Sequence, residues 1–140
     1  MLEMINSIGA VAGFAGFIGI IILMYSKSVN ISIGCGYDHT MLLIDGICYV
    51  WGRNNHGQLG LGDLLDYDTP QKLDLLDIKS INCGGYNTFA LTKLNEVYAW
   101  GNNNYGQLGL GDIVNYNTPQ KLNLSNITSI SCGEQHTFAI

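Results

Sequence analysis

Hydrophobic and polar positions follow two unlike regimes along this chain. From Met4 to Ser26 no charged side chain occurs over 23 positions, and the centre of that run, Ile8 to Tyr25, is 18 residues of Ile, Gly, Ala, Val, Phe, Leu, Met and Tyr with no polar stripe. As a helix that centre spans about 27 Å, close to the ~30 Å hydrocarbon core of a bilayer. The pattern predicts a hydrophobic N-terminal segment, residues 1–29, with a transmembrane helix over 7–26. A cleaved secretory signal and a packed hydrophobic segment are the rival readings. Glu3 stands where a signal would carry a basic residue, while Ser26 and Ser28 suit a small-residue cleavage site. Lys27 beside the run places the rest of the chain on the cytosolic side of a single-pass anchor. With the segment cleaved, the remainder is secreted, and Asn30, Asn123 and Asn126 become N-x-[ST] acceptors.

Beyond residue 30 the period changes to two. Met41–Ile44 and Ile47–Trp51 flank Asp45-Gly46, which reads as a two-residue hairpin turn needing positive φ at both positions. Phe89–Thr92 and Glu96–Trp100 flank Lys93-Leu94-Asn95, which reads as a three-residue loop with Asn95 left-handed. In that hairpin Phe89 and Leu91 fall on one strand face, and Thr88 and Ala90 on the other.

The hairpins belong to an internal repeat. Residues 51–73 and 100–122 are identical at 17 of 23 aligned positions with an offset of 49. A shorter block recurs three times, as Cys-Gly-Tyr-Asp-His-Thr from Cys35, Cys-Gly-Gly-Tyr-Asn-Thr from Cys83 and Cys-Gly-Glu-Gln-His-Thr from Cys132. A period near 49 residues that encodes several short strands is the signature of propeller blades. The predicted fold class is therefore all-β: two blades plus the start of a third, preceded by one hydrophobic helix. Residues 30–140 divide into repeats over 31–79, 80–127 and a partial 128–140.

Composition sharpens this reading. The chain has 140 residues, net charge −5 and only six Lys and Arg, so no basic stripe exists to follow a phosphate backbone and nucleic acid is not an expected partner. Of its 18 glycines, Gly52, Gly57, Gly60 and Gly62 recur as Gly101, Gly106, Gly109 and Gly111, where tight bends exclude side chains. Gly-Leu-Gly does not cradle a phosphate here, because Asp63-Leu-Leu-Asp-Tyr-Asp-Thr-Pro70, acidic and closed by proline, follows it instead of a helix. Trp51 and Trp100 read as core residues. Cys35, Cys83 and Cys132 read as one small buried position per blade, with Cys48 at the strand position of Val97. Cys35/His39 and Cys132/His136 have the spacing of half a zinc site, but Asn87 breaks the pattern in the middle copy, so no metal and no cofactor is expected. The His-Thr pairs read as side-chain hydrogen bonds holding a bend. Asp63 and Asp112 occupy equivalent turn positions, where a carboxylate accepts backbone N–H bonds. No catalytic constellation stands out, and the chain reads as a non-enzyme.

Trp-Gly-x-Asn-x-x-Gly-Gln-Leu-Gly-Leu-Gly-Asp, followed by Thr-Pro-x-x-Leu and a Cys-Gly-x-x-His-Thr block, resembles the regulator of chromosome condensation repeat over about Ile31 to Ile140. The resemblance implies four-stranded blades of a propeller that normally has seven. Residues 31–140 supply about 2.2 of them, where seven need roughly 340 residues. The expectation is a piece of a longer propeller. The alternative is self-association through the open blade edge, since three such chains supply nearly seven blades. Members of the family act as guanine-nucleotide exchange factors, as substrate-recruiting parts of ubiquitin ligases, as a UV-B photoreceptor and as interaction platforms. The photoreceptor's Gly-Trp-Arg-His-Thr motif falls on Gly36–Thr40 and Gly133–Thr137, where both the Trp and the Arg are missing. The resulting expectation is a membrane-anchored protein-interaction module, with exchange factor or ubiquitin-ligase recruitment as alternative. Positions that differ between copies are the candidate partner contacts: Tyr37, Tyr86, His56 and Tyr105.

Overall fold

A computed structural model describes residues 29–140, all strands and loops. The hydrophobic segment and its expected transmembrane helix lie outside the described residues. Among the described residues no helix is long and apolar enough to cross a membrane.

Four strands, β1 (Ile31–Cys35), β2 (His39–Ile44), β3 (Ile47–Gly52) and β4 (Tyr67–Lys72), form an antiparallel meander in chain order. The second meander repeats it with β5 (Ile78–Cys83), β6 (Asn87–Thr92), β7 (Val97–Gly101) and β8 (Tyr116–Lys121). Strands β9 (Ile130–Cys132) and β10 (Thr137–Ala139) pair as the first two strands of a third. Successive sheets pack face to face through their first strands, β1 against β5 and β5 against β9.

The turns are set by residue chemistry. Asp45 and Gly46 take φ of 49° and 91°, and Asn95 takes 59°, as the two hairpins require. Pro70 and Pro119 sit in β4 and β8, the outermost strands, where a missing N–H costs no ladder bond. Gly60 combines φ of 72° with the Trp100 indole nitrogen 2.7 Å from where its Cβ would stand, so both backbone and space demand glycine.

Each meander has two ends. The upper end carries the β1–β2 and β3–β4 links of the first blade and their counterparts in the second. The lower end carries the hairpin turns and the β4–β5 connection.

The core is the space between blades. Met41, Leu43, Val50, Leu59, Leu73 and Ile78 pack with Trp100 between the first two; Phe89, Leu91, Val97, Leu108, Leu122 and Ile130 fill the next layer. Strand β6 is buried on both faces, not alternately as its sequence suggests, because Ala90 packs into the layer shared with the first blade while Phe89 and Leu91 pack into the layer that holds Ile130. Trp51 does not keep the core assignment made for it. Trp100 is fully buried, whereas Trp51 is half-buried on the outer face of the first blade.

Candidate protein-docking site

Two polar assemblies, one repeated within each of the two blades and one between those blades, use many of the repeat's characteristic residues. In the first blade the buried Asn54 carboxamide donates to the Asp63 backbone and side-chain oxygens, both at 3.0 Å, and accepts the Leu59 N–H at 2.9 Å. Asp63 also accepts the Leu65 N–H and the Tyr67 hydroxyl. Asn103, Asp112, Leu108, Val114 and Tyr116 reproduce the knot in the second blade. The Asp112 carboxyl is held below its ordinary range, chiefly by the Tyr116 hydroxyl. These aspartates therefore build turns. Asn103→Ala leaves three polar groups short of a partner and is expected to cost about 2 kcal/mol in urea unfolding; an unchanged midpoint would refute the knot's role.

The second assembly joins neighbouring blades. His39 Nε2 lies 3.1 Å from the Thr88 hydroxyl, which donates to the Gln58 carbonyl at 2.9 Å, and the Trp100 indole N–H donates to the same carbonyl at 3.0 Å. The His-Thr block thus bonds across the blade interface, not within its own bend. At the next interface Asn87 and Thr137 occupy the positions of His39 and Thr88. Among the described residues, neither Asn87's carboxamide nor the Thr137 hydroxyl finds a partner, since Asn is shorter than His.

Cys35 is exposed, and Cys83 and Cys132 are partly buried; only Cys48 is sealed. The one-buried-cysteine-per-blade expectation is therefore corrected. The three residues end the first strands β1, β5 and β9, and line a shallow depression of about 250 Å³ with Gly36, Gly84 and Gly133. Burial pushes the Cys83 thiol up to about 12 and Cys132 to about 11. Among the described residues no group of three or more His, Cys, Asp and Glu side chains is placed to hold a metal ion.

What remains free of these assemblies gathers at the upper end. Tyr37 packs edge-on against Tyr86 with ring centroids 5.4 Å apart and an interplanar angle of 86°. His56 tilts against the same ring at 5.1 Å, and the Arg53 guanidinium lies 5.9 Å from its centroid. Arg53 is also paired with Asp38 at 3.4 Å, while Asn102 reaches His56 Nδ1 at 3.2 Å. The neighbouring Glu134 carboxylate raises the pKa of the Tyr37 hydroxyl. Burial, and then the Arg53 charge, lower the pKa of His56.

Three of the four candidate contacts therefore converge on one ring. Tyr37 and Tyr86 are not equivalent, however. By position Tyr37 matches Gly85, and Gly85 has no side chain because the Tyr37 ring stands 3.0 Å from where its Cβ would be. Tyr105, in the place of His56, stays apart and exposed. Arg53 and Asp38 vary between the copies but are not among the four candidate contacts, and Glu134 carries no signal in the sequence, because their roles depend on which loops meet across blades.

Comparison with known proteins agrees with this geometry. The model of the regulator of chromosome condensation (RCC1) repeat matches residues 45–91 and 95–140, and a second model of that repeat matches 31–58 and 78–107. RCC1 domain-containing protein RUG3, mitochondrial, of Arabidopsis thaliana is 37% identical over 75 residues, covering 51% of this chain and 17% of that protein. Ultraviolet-B receptor UVR8 of the same plant is 38% identical over 76 residues, again 51% of this chain and 17% of that protein. The crystal structure of Kap60 bound to yeast RCC1 (Prp20) is similar at a TM-score of 0.71 and 31% identity, covering 81% of this chain and 28% of that one. The chain thus matches about a sixth of the length of each of these two curated relatives. Its repeats are protein-interaction modules of β-propeller type, and the chain belongs to the RCC1 repeat family.

Proposed function

We propose that this chain is a non-catalytic protein-interaction module, held at a membrane by residues 7–26, that presents its upper end to a partner protein. The observation that carries the reading is the division of labour among side chains. Repeated Asn, Asp, Trp and Gly residues are spent on the knots and the interblade bonds, while Tyr37, Tyr86, His56 and Arg53 are left clustered where loops meet. Tyr and Arg at a rigid surface are the composition of binding hot spots. Rigidity comes from the fixed blade interface beneath them.

A photo-crosslinking residue at Tyr37 is expected to give a protein adduct that the same residue at Lys79, on the lower end, does not. Nucleotide release from small GTPases is expected to be unchanged by the chain. Accelerated release would make it an exchange factor, and failure to crosslink from either position would end the module reading. Membrane anchoring predicts that the chain resists alkaline extraction and that deleting residues 7–26 releases it. Glycans on Asn30, Asn123 or Asn126 would instead place the repeats outside the cytosol.

A further inference from the structure

The upper end is not polar throughout. Leu64 and Leu65, directly after the Gly-Leu-Gly-Asp bend, are 57% and 64% exposed, and Ile113 and Val114 at the matching place in the second blade are 69% and 55% exposed. The first pair already has its neighbouring blade in place, with Gly62 N–H donating to the Asn117 carbonyl and the Asn117 carboxamide donating to the Gly62 carbonyl. Packing between blades therefore does not cover it. Tyr37 adds a further exposed ring on the same end. Two aliphatic pairs thus stand exposed at equivalent places on adjacent blades, on the same end of the fold.

Charge is divided just as sharply. The described residues carry ten carboxylates against five Lys and Arg. Lys72, Lys79, Lys93 and Lys121 all lie toward the lower end, where Asp45, Asp74, Asp77 and Glu96 balance them. The upper half holds Asp38, Asp63, Asp66, Asp68, Asp112 and Glu134 against Arg53 alone. The whole net charge of −5 in residues 29–140 therefore lies in the upper half, the end that carries the exposed aliphatic pairs.

We propose that the upper end docks a basic protein segment that also carries aliphatic side chains. Apolar pairs supply the contact area, and the one-sided field draws in the partner and sets its sign. This rests on the interaction-module reading and adds the partner's chemistry. The chain cannot be its own ligand by this logic. Residues 1–28 hold one Glu and one Lys, and a second copy brings the same excess of carboxylates.

The test uses the full chain in detergent and three synthetic peptides, built of Lys and Leu, of Glu and Leu, and of Lys and Ser. Fluorescence anisotropy is expected to show the Lys/Leu peptide binding at least about tenfold more tightly than either other peptide, with affinity falling as salt rises. Leu64→Ser with Leu65→Ser should lose most of that binding, and Asp38→Asn with Asp68→Asn should reduce it and flatten its salt dependence. Lys79→Ala should leave it unchanged, and far-UV circular dichroism confirms that each variant is folded. Equal binding of the Glu/Leu peptide would overturn the charge argument. Equal binding of the Lys/Ser peptide, or indifference to the leucine changes, would overturn the docking surface. A homodimer abolished by the leucine changes would make a second copy the occupant and likewise overturn the proposal. If crosslinking at Tyr37 captures a partner while the Lys/Leu peptide does not bind, the module stands and this partner chemistry fails. If neither occurs, both fail.

Discussion

Trp100→Ala is expected to destabilise the chain by about 4 kcal/mol. The indole is fully buried between blades among Met41, Val50, Leu59 and Leu73, and it lies directly against Gly60. Truncation removes one of the largest apolar contacts in the interface, leaves a cavity that the rigid strands cannot close, and takes one of two donors from the Gln58 carbonyl. Trp100→Phe keeps most of the ring contact, and Thr88 still satisfies that carbonyl, so roughly half the loss is expected. Trp51→Ala provides the comparison. The same residue in the same strand position is only half-buried on the outer face, and its loss should cost about 1 kcal/mol. Urea unfolding followed by far-UV circular dichroism separates the three. Equal costs for the two alanine variants would sink the claim that the interblade layer carries the stability.

The second large effect is on acid stability. His39 is buried, and desolvation lowers its pKa from 6.5 to about 4, partly opposed by the Asp38 charge. The unfolded chain therefore binds a proton at this side chain between pH 6.5 and 4 that the folded chain refuses. Stability is complete above that window and falls as pH drops through it, by about 3 kcal/mol at the lower end. His39→Asn installs the residue that the second blade already has as Asn87, and it should abolish this component. Unfolding midpoints measured for both proteins between pH 7 and pH 4 isolate the term, because the carboxylates are common to both. Parallel curves would show that His39 does not titrate as described.

Most of the fold could be read from the sequence because it is encoded locally and more than once. Asp45-Gly46 and Asn95 dictate their own backbone, the glycine series fixes the bends, and a period near 49 residues sets the blades. The site was less legible because it is made by contacts between blades. Tyr37 and Tyr86 differ in repeat position, with Gly85 in the place of Tyr37, so their contact arises only when the blades are packed. His39 next to Thr40 suggests a local bond, yet its partner is Thr88, 49 residues away. The cysteines look like core because small apolar residues in strands usually are. Cys35, Cys83 and Cys132 are incompletely buried because they stand at the ends of the first strands. The exposed aliphatic pairs carried a signal that was available from the start: Leu64-Leu65 and Ile113-Val114 stand where a turn normally takes polar residues.

The two lower turns differ by one residue, yet the strands they join keep the same pairing, Leu42 with Tyr49 and Ala90 with Tyr98. A change of length at that end is absorbed inside the turn and does not reach the register that positions Tyr86 or Arg53 at the other. The repeat therefore behaves as a scaffold with one constrained rim and one permissive rim. An epitope or reporter spliced at Leu94, the exposed tip of the second turn, would ride on the fold without altering the surface it presents to a partner.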